Sequence, residues 1–231
     1  RGSLRAGVVG AGRAREGARC LSRSCGAAGK VIPATPNGPN IDAGCGAPDT
    51  TSLSAAVTAQ SADLGLAFDG DGDRVIAVDH RGQVVDGDRM IALAALQLRD
   101  EGALANNTVV ATVMSNLGFH KAMAAAGIEV VTTAVGDRYV LEALAAGNFS
   151  LGGEQSGHII YRDLATTGDG LLSGLRLAPF VHPRARRPTA LHDRLMYTYS
   201  PLLLNVPARG PPPEGPLRLV DGKRVLTAST R

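Results

Sequence analysis

The sequence predicts an α/β fold with mixed sheets. Short apolar runs alternate with segments of about ten residues in helical pattern from residue 51 to 178, and Gly, Asn or Asp stands at most junctions. The 231 residues are enough for two modest domains. With 44% hydrophobic residues but only 3% aromatic and no Trp, the core must be built from Ala, Val, Leu and Ile.

The elements follow one another in a regular order. Residues 1–50 are rich in Gly, Ala, Arg and Pro, and their two apolar runs, at 6–9 and 31–32, allow a strand–helix–strand unit. Further along, the patterns predict helices at 54–60, 88–99, 116–126, 137–146 and 167–178, and strands at 62–68, 75–79, 83–85, 109–114, 128–135, 150–152 and 158–161. This order is also compatible with a mixed rather than a purely parallel sheet.

Proline residues mark the predicted end of the regular α/β pattern. The periodic pattern ends at Pro179, and Pro-rich sequence follows, including Pro211, Pro212 and Pro213. We predict an α/β domain at 1–86 with a degenerate first part, a second at 87–205, and a disordered tail at 206–231.

The charge distribution and the cysteines limit the classes of binding partner that we expect. The net charge of +3 gathers near the two ends of the chain, which is more typical of solvated segments than of a nucleic-acid surface, and stacking aromatics are scarce. Cys20, Cys25 and Cys45 form neither an even disulfide set nor a zinc spacing, so we expect reduced thiols in the cytoplasm. No run approaches the roughly 20 apolar residues of a membrane span, so no membrane partner is expected. The oligomeric state stays open.

The strongest motif is the string Asp-Gly-Asp-Gly-Asp-Arg at 69–74, directly after a predicted strand. The glycines allow Asp69, Asp71 and Asp73 to turn toward one point. Oxygen-only ligands on a tight loop suit Mg²⁺ above Ca²⁺ or Zn²⁺. An EF-hand loop would need a Glu at its twelfth position, where His80 stands. The alternative is a plain acidic turn between strands.

A second polar loop lies at 152–158, between two short predicted strands. It offers the carboxylate of Glu154, the amide of Gln155, the hydroxyl of Ser156 and the imidazole of His158, a set suited to a polyol or amino sugar. A polar hairpin tip explains this loop almost equally well. The segments 135–140, 114–116 and 166–170 are interpreted first as helix caps and turns, and as ligand contacts only second.

Together these strings resemble the α-D-phosphohexomutase family over residues 37 to 178. The metal loop of that family matches 69–74 and its sugar loop matches 153–158. Matching strings also occur at 36–46, 111–116, 135–141 and 166–170. Within the family, the likeness is greatest to members that act on amino-sugar phosphates.

The resemblance implies two of the four α/β domains of the family and a hexosamine phosphate substrate. The implied activity interconverts glucosamine 6-phosphate and glucosamine 1-phosphate for amino-sugar and cell-wall precursor synthesis, through a phosphoserine and a bisphosphate intermediate. It assigns Mg²⁺ to Asp69, Asp71 and Asp73. By the same resemblance the remaining site residues are Arg74 and His158 as catalytic groups, and Glu154, Gln155, Ser156 and Gly157 as sugar contacts.

Two departures from the family pattern limit this expectation. No Thr-Ala-Ser-His-Asn string, which carries the phosphoserine of the family, precedes Asp69, and no Arg-Pro-Ser-Gly-Thr phosphate loop occurs. We therefore expect an incomplete copy that is inactive alone. Open alternatives are a mutase for mannose or glucose phosphates and a non-catalytic metal-binding remnant. A dinucleotide-binding loop at 8–12 is disfavoured, since Arg15 stands where its third glycine belongs.

Overall fold

A computed structural model describes residues 5–10, 28–33, 46–47, 49–181, 195–199, 218–220 and 223–225. They belong to two compact units, Arg1–Tyr199 and Ser200–Arg231, which are treated separately. All three cysteines, the family string from 36 to 45 and most of the predicted tail lie outside the described residues.

The first sheet of the larger unit has five strands in the order β2-β1-β3-β4-β5. Strands β1 (Arg5–Gly10), β2 (Ala28–Pro33) and β3 (Leu64–Phe68) are parallel, whereas β4 (Val75–Asp79) and β5 (Val84–Val85) are antiparallel to their neighbours. Helix α1 (Thr51–Ala59) precedes β3. The two apolar runs of the first 50 residues are therefore strands, and the sheet is mixed, as predicted.

The second sheet has four strands in the order β7-β6-β8-β9. Strands β6 (Thr108–Thr112), β7 (Glu129–Thr133) and β8 (Leu151–Gly153) are parallel, and β9 (Ile159–Tyr161) is antiparallel to β8. Helices α3 (Leu117–Ala125) and α4 (Asp137–Ala146) connect the parallel strands. Along the chain, helix α2 (Gly87–Asp100) lies between the last strand of the first sheet and the first strand of the second, and α5 (Gly170–Val181) follows β9. A short 3₁₀ turn, Ala105–Asn107, leads into β6.

One hydrophobic core joins the two sheets. Alternate strand residues face it, among them Leu66 and Phe68 from the first sheet and Val109 and Ala111 from the second, and α2, α3 and α5 pack in the same cluster. The intervening residues face outward, because successive side chains of a strand point to opposite sides. Two smaller clusters lie on the other faces of the sheets. The first packs α1 on the first sheet and consists of Leu53, Val57, Ala62, Ala67 and Val78. The second packs α4 on the second sheet and consists of Val110, Val140, Leu144 and Ile160.

Helix ends agree with the sequence signals in most places. The side chain of Asp86 caps α2 by accepting a hydrogen bond from the Arg89 N–H, and that of Asn116 caps α3 through the Gly118 N–H. The predicted end of the last helix was wrong, since α5 continues through Pro179 to Val181. Proline at position ten of the helix removes one backbone donor close to the end, and the helix stops two residues later.

In the smaller unit the structure describes an antiparallel strand pair, β10 (Arg218–Val220) and β11 (Lys223–Val225). This pair lies within the predicted tail and was not anticipated. The residues between the strands, Asp221 and Gly222, are a dipeptide favoured in two-residue hairpins, so a sequence signal existed. Within the described ranges, no helix has both the length and the apolar character needed to cross a membrane.

Candidate active site

The acidic loop at 69–74 joins β3 to β4, and its fold is set by its first aspartate. Asp69 is buried, and its Oδ1 accepts hydrogen bonds from the N–H groups of Gly72 at 3.1 Å and Arg74 at 3.2 Å. Gly72 has a φ of +82°, a left-handed conformation that favours glycine. The loop is therefore closed on the Asp69 carboxylate.

The three carboxylates of this loop form the acidic cluster that the sequence predicted. One oxygen from each of Asp69, Asp71 and Asp73 lies within 4.8 Å of the others. The pKa of Asp73 is raised to about 7, mainly by burial and further by a hydrogen bond to Asp69 and the negative charges of Asp69 and Asp71, against the opposing effect of Arg74. Oδ1 of Asp73 is buried without a hydrogen-bond partner. The cluster fits a hard divalent cation, which would relieve this repulsion and use that oxygen.

Arg74 lies against the cluster rather than away from it. Its Nε is 3.2 Å from Oδ2 of Asp69 and 3.7 Å from Oδ1 of Asp73, and the side chain is about half exposed. The guanidinium therefore offsets part of the negative charge and still reaches solvent.

His158 belongs to the same centre although it follows the sugar loop in sequence. Its side chain is buried, and its Nε2 is 3.7 Å from Oδ2 of Asp73. Neither ring nitrogen has a hydrogen-bond partner among the described residues. The ring packs on Gly168, where any side chain would overlap it. A single backbone bridge pairs His158 with Arg74, so the two loops meet directly.

The polar loop between β8 and β9 is held at two further places. Oε1 of Glu154 accepts a hydrogen bond of 2.9 Å from the Gly136 N–H at the start of α4, and its Oε2 lies 3.4 Å from the Ser156 hydroxyl. The Gln155 amide donates to Oδ2 of Asp86 at 3.3 Å, and the Gln155 carbonyl accepts from the Gly87 N–H at 3.0 Å. The predicted sugar residues 154–157 thus contact both α4 and α2.

Contacts around α2 were missed from the sequence. Gly87 is the first residue of the helix, and a Cβ there would overlap the Glu154 carbonyl and lie 2.8 Å from the Gln155 carbonyl oxygen. Asp88 is fully buried in the next position, and its Oδ2 accepts a hydrogen bond from the Asn116 N–H at 2.6 Å. A glycine at a helix start between two acidic residues was the available signal for close packing.

Two of the remaining candidate strings, 114–116 and 135–140, follow parallel strands of the second sheet. The loops after β3, β6, β7 and β8 all leave carboxyl ends of parallel strands, the edge at which open α/β sheets bind ligands. Arg138, after β7, is exposed and paired with Glu142 at 2.7 Å. The Asp169 side chain caps α5 through the Leu172 N–H, as predicted for this string.

A family model for phosphoglucomutase/phosphomannomutase, alpha/beta/alpha domain III, matches residues 86–199. The chain is 53% identical over 195 residues to a phosphoglucosamine mutase of Mycobacterium sp. (strain KMS), which covers 84% of this chain and 44% of the relative. It is 57% identical over 166 residues to the phosphoglucosamine mutase of Mycobacterium tuberculosis (strain ATCC 25618 / H37Rv), covering 72% of this chain and 37% of the relative. The chain belongs to the α-D-phosphohexomutase family. It spans less than half the length of these family members.

Solved structures agree with the family at the level of fold. A phosphoglucomutase/phosphomannomutase family protein of Burkholderia thailandensis superposes with a TM-score of 0.68 at 27% identity, covering 82% of this chain and 42% of that one. An N-acetylphosphoglucosamine mutase of Aspergillus fumigatus, solved with GlcNAc-6P and magnesium, superposes with a TM-score of 0.55 at 20% identity over 78% of this chain and 43% of that one. The mixed α/β architecture is thus that of phosphohexomutase domains.

Proposed function

We propose that this chain carries the cation-binding and sugar-binding part of a phosphoglucosamine mutase. The observation that supports it most is the backbone bridge between Arg74 and His158, which brings the acidic loop and the polar loop to one place. Each loop alone has a simple structural explanation. If the two loops were only a surface turn and a hairpin tip, neither would require a buried imidazole beside a carboxylate cluster.

Asp69, Asp71 and Asp73 would hold Mg²⁺ in this proposal. A bound divalent cation would supply electrostatic stabilisation of the charge on a phosphoryl group. Arg74, half exposed beside the cluster, adds a positive charge at the same place. His158 lies between the cluster and the sugar loop, a position from which it can assist proton transfer.

Residues 154–157 would hold the hydroxyl and amino groups of a hexosamine phosphate. Glu154 is oriented by the Gly136 N–H, and Gln155 by Asp86, so both side chains are held before a ligand arrives. The names of the 53–57% identical relatives favour glucosamine phosphates. Mannose or glucose phosphates are the second candidates, since the family model covers mutases for both sugars.

Calorimetric titration with Mn²⁺ tests the metal part of the proposal. Asp71→Asn removes an exposed ligand without disturbing the buried Asp69, and we expect it to weaken Mn²⁺ binding about tenfold or more. Asp163→Asn, an exposed carboxylate outside the cluster, is the matched control and should bind as the wild type does. Equal binding by all three proteins would remove the acidic loop from the proposal.

Titration with sugar phosphates tests the substrate class. Glucosamine 6-phosphate should bind more tightly than mannose 6-phosphate in the presence of Mn²⁺. The opposite order would favour the mannose- or glucose-specific alternative. Binding of Mn²⁺ with neither sugar phosphate would favour the non-catalytic remnant.

We further propose that the chain alone does not interconvert glucosamine 6-phosphate and glucosamine 1-phosphate. The acidic loop and the sugar loop supply a cation site and one wall of a sugar site, but neither supplies a phosphoryl donor. A coupled assay with Mg²⁺ and a bisphosphate activator checks this. Turnover by the wild-type chain that is lost in the Asp71→Asn variant would overturn the proposal that the chain alone is inactive. We also propose a cytoplasmic location, which is supported by a set of three cysteines that is odd in number and lacks a zinc spacing.

A further inference from the structure

The acidic loop and the sugar loop are joined by close contacts between their backbones. The Val75 N–H, directly after the acidic loop, donates to the Gly157 carbonyl at 3.1 Å. Gly157 has a φ of +94°, and a Cβ there would overlap the Val75 carbonyl oxygen. The two chains therefore touch main chain to main chain.

The start of α5 forms a second contact with the acidic loop. The Gly170 N–H donates to the Gly72 carbonyl at 3.0 Å. A Cβ on Gly170 would lie 2.7 Å from the Arg74 carbonyl oxygen and 2.9 Å from that of Gly72. Residues 168–170 thus contact the acidic loop, and Gly168 lies against the His158 ring.

We propose that residues 69–75, 153–158 and 168–170 act as one unit, in which a divalent cation at the three aspartates orders the sugar loop. Cation and sugar phosphate then each raise the affinity for the other, because coupling between two sites is reciprocal. This inference rests on the proposed function, and it adds how the two halves of that site communicate.

The physical basis is the repulsion within the acidic loop. Three carboxylate oxygens within 4.8 Å of one another favour an open loop when no cation is bound. A cation removes that tendency and fixes the backbone between Asp69 and Arg74. The carbonyl of Gly72 belongs to that backbone and the amide of Val75 directly follows it, so their partners Gly170 and Gly157 become fixed as well.

Direct contact between a bound phosphate and the cation would also couple the two ligands. The two explanations differ when no sugar is present. Contact through phosphate then predicts no change in the sugar loop, whereas coupling through the backbone predicts that the cation alone orders it.

Hydrogen exchange of the full chain, followed residue by residue with and without Mn²⁺ and without sugar, separates them. We expect slower exchange of the Val75 and Gly170 amides and of the Glu154 amide, which donates to the His158 carbonyl at 2.9 Å. The turn at 102–107 should not change. Mn²⁺ binding with protection confined to 69–74 would overturn the coupling alone, and absence of Mn²⁺ binding would overturn the proposed function with it.

Two glycine substitutions, at residues that contact the acidic loop, test the same coupling through Mn²⁺ affinity. Gly157→Ala touches no carboxylate of the acidic loop, yet we expect it to weaken Mn²⁺ binding about tenfold, within the usual range of coupling. Gly127→Ala is the control, because Gly127 also has a positive φ, +70°, but nothing lies within 4 Å of a Cβ placed there. Its Mn²⁺ affinity should equal that of the wild type.

Gly170→Ala provides a second variant if Gly157→Ala does not fold, as circular dichroism would show. Gly170 is a helix residue, so alanine is compatible with its backbone, and only the contact with the acidic loop is disturbed. Weaker Mn²⁺ binding is again expected. Wild-type Mn²⁺ affinity in a folded Gly157→Ala or Gly170→Ala protein would overturn the proposal.

Discussion

Replacing Asp88 by Asn should stabilise the protein at neutral pH. Asp88 is fully buried in the first turn of α2, and its Oδ2 accepts the Asn116 N–H at 2.6 Å. Burial raises the pKa of this carboxyl to about 6 from an ordinary value of 3.8, although the Asn116 N–H lowers it in part. The ionised form is therefore disfavoured in the folded protein.

The size of the effect follows from that difference. A rise of about two pKa units corresponds to roughly 3 kcal/mol of differential stability. Because the folded state binds this proton more tightly than the unfolded state, the contribution of Asp88 makes the protein less stable as the pH rises from about 4 to about 6, and is constant above that. Asn keeps an oxygen for the Asn116 N–H but loses the favourable interaction of a carboxylate with the helix N-terminus, worth about 0.3–1 kcal/mol. We expect a net gain of about 1–2 kcal/mol at high pH.

Urea unfolding of wild type and Asp88→Asn at pH 4.5, 5.5, 6.5 and 7.5, followed by far-ultraviolet circular dichroism, measures this directly. The difference in free energy of unfolding should grow between pH 4.5 and 6.5 and then stay level. Asp163→Asn, at an exposed carboxylate, should show a small difference without this rise. A difference for Asp88→Asn that is independent of pH would refute the reasoning.

Three further outcomes follow from the structure. Mn²⁺ affinity should increase about tenfold from pH 6 to pH 8, because Asp73 must lose its proton to become a ligand. Calorimetry in buffers of different ionisation heat should show that proton release, and an Mn²⁺ affinity that does not change with pH would contradict it. Gly118→Ala should detach residues 195–199, because a Cβ there would overlap the Tyr197 carbonyl, and exchange of the Tyr199 amide would then be faster. Limited proteolysis should leave a resistant core that includes residues 51–181, up to the end of α5; a core extending through 211–213 would disagree.

The order of elements was predictable because most strands alternate or are uniformly apolar and most helices carry caps. β4 was predicted with its observed ends, and Asp86 and Asn116 mark the starts of α2 and α3 as expected. Other strand ends were misplaced, and the end of β6 was placed two residues too far because apolar residues such as Val113 continue past the strand.

The acidic cluster itself was predictable, since three aspartates and two glycines in six residues are a local pattern. Its surroundings were not. The approach of His158 to Asp73, and of Gly170 to Gly72, depends on the pairing of segments about 85 and 98 positions apart, which no local pattern encodes. The position of β1 between β2 and β3 was likewise hidden, because six residues give too little periodicity to determine a neighbour.

The core shared by the two sheets has a consequence for cooperativity. The inner faces of β3 and β6 are buried by the same layer of helices, so separating the sheets would expose Leu66 and Phe68 together with Val109. Cutting the chain before residue 87, near the start of the family match at 86, would leave a large apolar face open to water on each piece. The two halves should therefore unfold in a single transition, and a gene fragment encoding either half alone should yield an aggregating product.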